Sequence, residues 1–195
     1  MDQLEQRIRL ISKELGLSHI GSNVSALPVL KYIYEHKQPE DVVVLDNSHA
    51  HLSHLVVREA YEWNLKHIGS VEDFIKNEGI HCDRKAGCDA SGGSLGHGIG
   101  ISIGMALADR SRTVHCMVSD GSMMEGSNWE ALRVRHSLKL KNLRIYCNFN
   151  GYSAVQRVEL DDLMDRMIEF DSGAEIFYTD NGEGLKGIKG HYKTL

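Results

Sequence analysis

The sequence holds no C-x-x-C pair, no block of Lys or Arg, and no apolar run of the roughly 18 residues that a spanning helix needs. Each absence removes a class of function. Without paired spacing, Cys82, Cys88, Cys116 and Cys147 read as reduced core or loop thiols and not as a disulfide frame, the last two lying inside apolar runs of strand length. The N-terminal MDQLEQRIRLISKELG is charged and amphipathic, without the apolar stretch of a signal peptide, so a cytoplasmic chain with no membrane partner is expected. A net charge of −5 and a pI near 6.1 leave no basic footprint for nucleic acid. Internal repeats, linkers and low-complexity segments are also missing. What remains is 195 residues, 42% apolar and 25% charged, enough to bury one sizeable core in a single domain over 1–195.

Within that frame, Leu4, Ile8, Ile11 and Leu15 recur at helical spacing, and Gly16 follows as a stop. A second helix is expected from Ala26 to His36, with Ser25 as its N-cap, Pro28 in its first turn and Pro39 beyond its end. Further helical patterns run from His49 to about Trp63, through VEDFIKNEG behind a Ser70 cap, and through LGHGIGISIGMALAD, SNWEALRVRHSLK and VELDDLMDRMIEF. Between them stand four apolar runs, VVVLD, TVHCMVSD, LRIYCN and AEIFYTDN. Strands of this kind, alternating with helices and lacking a polar face, predict an α/β fold with a doubly wound parallel sheet flanked by helices.

Each run closes on a polar residue: Asp46, Asp120, Asn148 with Asn150, and Asp180. Ligands of open α/β sheets bind beyond the carboxyl ends of the strands, so this edge is expected to carry the site. Asp120 and Asn150 lie a helix and a strand apart and can become neighbours. A carboxylate and an amide oxygen suit a hard cation such as Mg²⁺, which usually shares its shell with phosphate oxygens. Gly121 lets backbone approach a diphosphate, and a helix beginning near Ser127 offers free N–H groups to anions. Taken singly, each of these residues could equally cap or turn the chain.

The stretch SDGSMMEGSNWEA followed by NFNGYS resembles the thiamine diphosphate signature of transketolases. LSHIGS at 17–22, LDNSHAH at 45–51 and HCDRKAGCDASGGSLGHGIGISIGMALA at 81–108 resemble further motifs of that family in the same order. The resemblance implies a thiamine diphosphate-binding fold, with Asp120, Asn150 and the carbonyl of Tyr152 as ligands of Mg²⁺ (or Ca²⁺). It also implies Gly121 beside the diphosphate and Gly93 and Leu95 against the aminopyrimidine. Glu125 would lie at a subunit interface, and His19, His49 and His81 would line a channel for sugar and thiazolium, where neutral imidazoles can bond hydroxyls or pass protons. The tail TDNGEGLKGIKGHY makes His191 a further candidate. The sequence departs from the family pattern at Ile20, His97, Ser119 and Phe149, none of which removes a ligand. The family's pyrimidine-side glutamate belongs to a second domain. The expected function is therefore that of a diphosphate-binding subunit transferring a two-carbon ketol unit from a ketose to an aldose, with a sugar or sugar-phosphate substrate. It would work with a partner chain carrying the pyrimidine-binding domain, in a homodimer or heterotetramer. The alternatives are a catalytically silent scaffold and one chain of a split decarboxylase or carboligase.

Two other patterns are weighed and set aside. The Gly-rich run at 92–104 lacks G-x-G-x-x-G and follows no strong strand, which argues against a Rossmann site. Eleven histidines invite zinc, with His49, His51 and His54, or His81, Cys82 and Cys88, as ligands. Neither set has the paired spacing of a structural zinc site.

Overall fold

The computed structural model describes residues 2–61, 69–187, 190 and 192–195. Strands β1 (Val42–Leu45), β2 (Val114–Ser119), β3 (Leu143–Phe149) and β4 (Glu175–Tyr178) lie side by side in that order, every pair parallel. Seven α-helices are described: α1 (Gln3–Leu15), α2 (Ile20–His36), α3 (His51–Ala60), α4 (Val71–Glu78), α5 (Gly98–Ala108), α6 (Gly126–Leu138) and α7 (Leu160–Phe170). None of the described helices is long and apolar enough to cross a membrane.

The apolar runs have no polar face because both faces of the sheet are covered. Successive strand residues point to opposite sides. Val43, Leu45, Met117 and Tyr146 pack under helices α1 to α4, against residues such as Ile11, Ile33, Leu55 and Phe74. Their neighbours Val44, Cys116, Ile145 and Phe149 pack on the other side against Ile103, Leu132 and Met167 of α5, α6 and α7. Phe149, the departure beside Asn150, is therefore a fully buried core residue.

The helix signals hold at α1, where Asp2 accepts from the Leu4 N–H and Gly16 ends the helix in the left-handed region, and at α4, where Ser70 accepts from the Asp73 N–H. Three expectations need correction. Helix α2 begins at Ile20 and not at Ala26, so Ser25 is a buried interior residue and Pro28 sits mid-helix on an exposed position. The polar run Ser22, Asn23, Ser25 reads as a loop because its hydrogen-bond partners come from distant segments. Helix α3 begins at His51, after a 3-10 turn over Ser48–Ala50, and ends at Ala60; Trp63 lies outside the described residues. Asp46, finally, is not spent on a ligand. Its carboxylate accepts the N–H groups of Gly96, at 3.0 Å, and Gly98, and a bond from Asn128 Nδ2. That fixes the Gly-rich loop to the end of β1 and starts α5.

Gly98 permits this contact, since a Cβ there would lie 2.5 Å from Asp46 Cβ and 2.8 Å from its Cα. At Gly100 a Cβ meets nothing within 4 Å. Gly98→Ala should therefore lose roughly 1–3 kcal/mol by overpacking, while Gly100→Ala should gain roughly 0.5–1 kcal/mol in helix propensity. Urea unfolding midpoints check both, and equal midpoints for the two variants would contradict the assignment.

Candidate functional site

The C-terminal ends of the strands converge on one cleft, and α2 closes it from the side. Asp120 follows β2 and is 1% exposed, so its carboxylate must be satisfied internally. Oδ2 accepts the backbone N–H groups of Asn150 (3.0 Å), Gly151 (2.7 Å) and Tyr152 (3.1 Å), and Oδ1 accepts that of Gly121 (3.1 Å). The loop after β3 is thus wrapped around one carboxylate. Burial pushes the Asp120 carboxyl up to about 6, against the opposing pull of the Asn150, Gly151, Gly121 and Tyr152 N–H groups. A carboxylate desolvated in this way gains from an adjacent cation.

Asn150 Oδ1 accepts the Tyr152 N–H at 3.0 Å, and its Nδ2 donates to Ser25 Oγ at 3.2 Å. Asn148 Nδ2 donates to the same hydroxyl, also at 3.2 Å, and Ser25 donates onward to the Ser22 carbonyl. The amide orientations of both asparagines are set from α2. That is why Ser25 is buried in a helix instead of capping one.

Across the cleft, His19 precedes α2 in the left-handed region, with φ 62° and ψ 23°, a backbone state that costs a non-glycine residue about 1–3 kcal/mol. Ser18 Oγ lies 2.7 Å from His19 Nδ1, and the His19 and His49 rings are 5.4 Å apart. Asn23, which carries no signal in the sequence, ties the two together. Its Nδ2 donates to the carbonyls of His19 (3.0 Å) and His49 (3.1 Å), and its Oδ1 accepts the Ser53 N–H at 2.9 Å. Helical periodicity could have found it, had the helix been started at Ile20.

His19, His49, His81, Gly93, Leu95, Asp120, Gly121, Asn150 and Tyr152 all line this cleft. So does Asn47, a residue not singled out from the sequence, whose buried amide has no hydrogen-bond partner at either polar atom. His81 is the most exposed of the three histidines. Glu125 does not line the cleft; it is exposed and its side chain lies against Gly96. His97 is exposed and likewise outside the lining. The candidate His191 lies outside the described residues. Of the four polar strand ends, only those of β2 and β3 reach the cleft, because Asp46 is held by the Gly-rich loop and Asp180 pairs with Lys186 at 2.7 Å. The start of α6 does not reach it either. The Ser119 hydroxyl, where the family pattern has glycine, accepts the Ser122 N–H and closes a 3-10 turn over Ser122–Met124 between β2 and that helix.

The residues present fit a diphosphate held through a hard cation. The donors are a carboxylate and amide oxygens. Asp120 Oδ1 accepts a single hydrogen bond among the described residues, and a Cβ on Gly121 would reach toward Leu95 (3.6 Å) and Ser153 (3.7 Å), filling the floor of the cleft. Asn47 brings an unspent donor and acceptor.

Fold and cleft together define an α/β domain that binds a ligand at the carboxyl edge of a parallel sheet. Residues 2–176 match the family described as 1-deoxy-D-xylulose-5-phosphate synthase, and the chain belongs to that family, in its thiamine diphosphate-binding N-terminal domain. Its relatives include transketolases. One of the two chains named for apulose-4-phosphate transketolase, from Actinobacillus succinogenes, is 26% identical over 170 residues, covering 74% of this chain and 61% of its own. The 6-deoxy-6-sulfo-D-fructose transketolase subunit of a Clostridium strain is 29% identical over 160 residues, covering 70% and 56%. Human transketolase is 34% identical over 112 residues, covering 55% and 17%. The chain thus spans less than two thirds of the length of each of these relatives. The transketolase structure from Campylobacter jejuni superposes with a TM-score of 0.64 at 16% identity, over 98% of this chain and 40% of its own, which establishes the shared fold.

Because four backbone N–H groups depend on one carboxylate, Asp120→Ala should destabilise the cofactor-free chain by roughly 1–3 kcal/mol. Asp120→Asn, which keeps an acceptor oxygen, should cost less. Denaturant melts without added metal measure both, and an Ala variant as stable as the parent would show that these bonds contribute nothing.

Proposed function

We propose that the chain is the diphosphate-binding half of a transketolase-type transferase, moving a two-carbon ketol unit from a ketose to an aldose. One observation carries this reading: Asp120, Asn150 and Tyr152 are drawn together on one wall of the cleft while His19, His49 and His81 line the same cleft. Asp120, Asn150 and the Tyr152 carbonyl would hold Mg²⁺, with Gly121 beside the diphosphate and Gly93 and Leu95 along the ring system. When bound, thiamine diphosphate supplies the electron sink that cleavage beside a carbonyl requires. The chain's own residues bind and orient. His19 and His49, fixed through Asn23, offer imidazole nitrogens to sugar hydroxyls, and His81 stands at the exposed side where substrate enters. The serine and asparagine network from α2 holds Asn150 in place.

A partner chain belongs to this reading. Two relatives are named as transketolase subunits, and α5 presents an apolar surface in Ile101 (37% exposed) and Leu107 (42% exposed), with Gly100 and Gly104 open beside them. Small residues on such a face let a second backbone approach closely. Glu125, exposed at the neighbouring loop, would lie at the same contact. The partner would supply the pyrimidine-binding domain, and the sugar or sugar-phosphate substrate would bind between the two.

Asp120→Asn should abolish Mg²⁺-dependent thiamine diphosphate binding in calorimetric titration, and unchanged affinity would sink the metal assignment. His49→Ala and His81→Ala should instead lower kcat by about 10²-fold or more with cofactor affinity preserved, as expected of groups acting on protons. Mixing with a chain that carries the pyrimidine-binding domain should be needed for ketol transfer, and Ile101→Arg should prevent it. Robust transfer by this chain alone would overturn the partner reading.

A further inference from the structure

His51, His54, Cys82 and Cys88 form a fully buried cluster beneath the cleft, with one potential ligand atom from each lying within 4.8 Å of all the others. The cluster joins halves of the two sets weighed in the sequence. His51 and His54 are three apart on α3 and share one face of it. Cys82 and Cys88 bracket a turn through Arg84–Ala86 that ends at Gly87, where φ is 73°. Their true partners across the fold replace His49 and His81, which face the cleft instead.

Cys82 Sγ lies 3.4 Å and Cys88 Sγ 3.7 Å from His51 Nδ1. A tetrahedral zinc with Zn–S of about 2.3 Å and Zn–N of about 2.0–2.1 Å has ligand-to-ligand edges of roughly 3.3–3.8 Å. The observed separations fall in that range. The second imidazole is oriented as a ligand as well. His54 Nε2 lies 2.7 Å from the Tyr34 hydroxyl, while its Nδ1, also buried, has no hydrogen-bond partner. Fixing one ring nitrogen by an outer partner so that the other presents its lone pair is the usual arrangement of a metal-bound histidine.

We infer that His51, His54, Cys82 and Cys88 bind one structural zinc ion. Two thiolates and two imidazoles are soft and borderline donors that select zinc over magnesium or calcium, and they balance its charge in a buried, closed site. Binding releases the two thiol protons to solvent. The ion would tie α3 to the 82–88 turn, which in turn holds cleft residues. The Cys82 N–H donates to Ser48 Oγ at 2.8 Å, and the Gly92 N–H donates to the Cys82 carbonyl at 3.0 Å. His49, His81 and Gly93 are each one residue away from these contacts. The zinc therefore sets the spacing of one side of the cleft without touching it.

The test is elemental analysis of the full chain, expressed in zinc-supplemented medium and purified with reductant and without chelator. About one zinc per chain should be retained, and its amount should not change when Mg²⁺ and thiamine diphosphate are added. Cys88→Ala and His54→Ala should each lose the metal or weaken its retention at least tenfold. Where these variants fail to fold, the parent chain still decides: after chelator removes zinc, Co²⁺ should restore thermal stability and give the intense visible and thiolate charge-transfer bands of tetrahedral S₂N₂ coordination. A metal-free parent that shows no such bands with Co²⁺ would overturn the inference. So would a Cys82–Cys88 disulfide in the reduced preparation, or zinc retained in full by the Cys82→Ser, Cys88→Ser double variant. These readouts need no turnover, so they stand or fall separately from the proposed transferase activity.

Discussion

The cleft depends on one carboxylate. Asp120 ends a buried strand, where an isolated negative charge would be costly, and four backbone N–H groups from two segments converge on it. The turn Asn150 to Tyr152 takes its shape from that demand, since three successive amides must point inward at once. An amide side chain and a carbonyl then come to lie beside the carboxylate without any ligand to gather them. Folding energy and site geometry are here the same set of bonds, so the site is organised before anything binds, which lowers the cost of binding.

Helix α2 supplies the opposing wall by a second use of buried polar groups. Its first two turns carry Ser22, Asn23 and Ser25, all buried. Asn23 fixes the backbone at His19 and His49, and Ser25 fixes the amides of Asn148 and Asn150. Each buried hydrogen bond contributes only about 0.5–1.5 kcal/mol. Their larger effect is on register, because a half-turn rotation of α2 would strand every one of them. The left-handed backbone at His19 is held by the same bonds, and strain of this kind persists only where the surroundings over-determine it.

Much of this was legible in the sequence and some was not, for physical reasons. The four strands were readable because both faces are covered, which makes their apolar runs continuous. Asp120 and Asn150 were readable because a carboxylate and an amide at neighbouring strand ends are a local signal. The start of α2 was not: Ser22, Asn23 and Ser25 look like loop residues until partners over 20 positions away are known. Asp46 looked like a ligand for a similar reason, although the amides it serves come from a loop 50 positions downstream. Glu125 carries a family motif yet stands outside the cleft, where a chain seen alone gives it no ligand to meet.

The buried cysteine and histidine cluster failed to register in the sequence because its segments face two ways. Between positions 48 and 54 the chain passes from a 3-10 turn into a helix, so His49 lines the cleft while His51 and His54 turn to the interior. Between 81 and 88 a single step separates His81, on the cleft, from Cys82, in the cluster. Grouping ligands by adjacency mixes the two destinations and yields spacings that suit neither. Sorted by burial, the donors separate by chemistry as well: oxygen donors beside an open cleft, sulfur and nitrogen donors in a closed interior. Two cations of different hardness can then be kept apart by donor type and access, even though zinc would outcompete magnesium at many sites if affinity alone decided. The loop that runs from one cluster to the other would make the geometry of the cleft depend on a metal that never enters it.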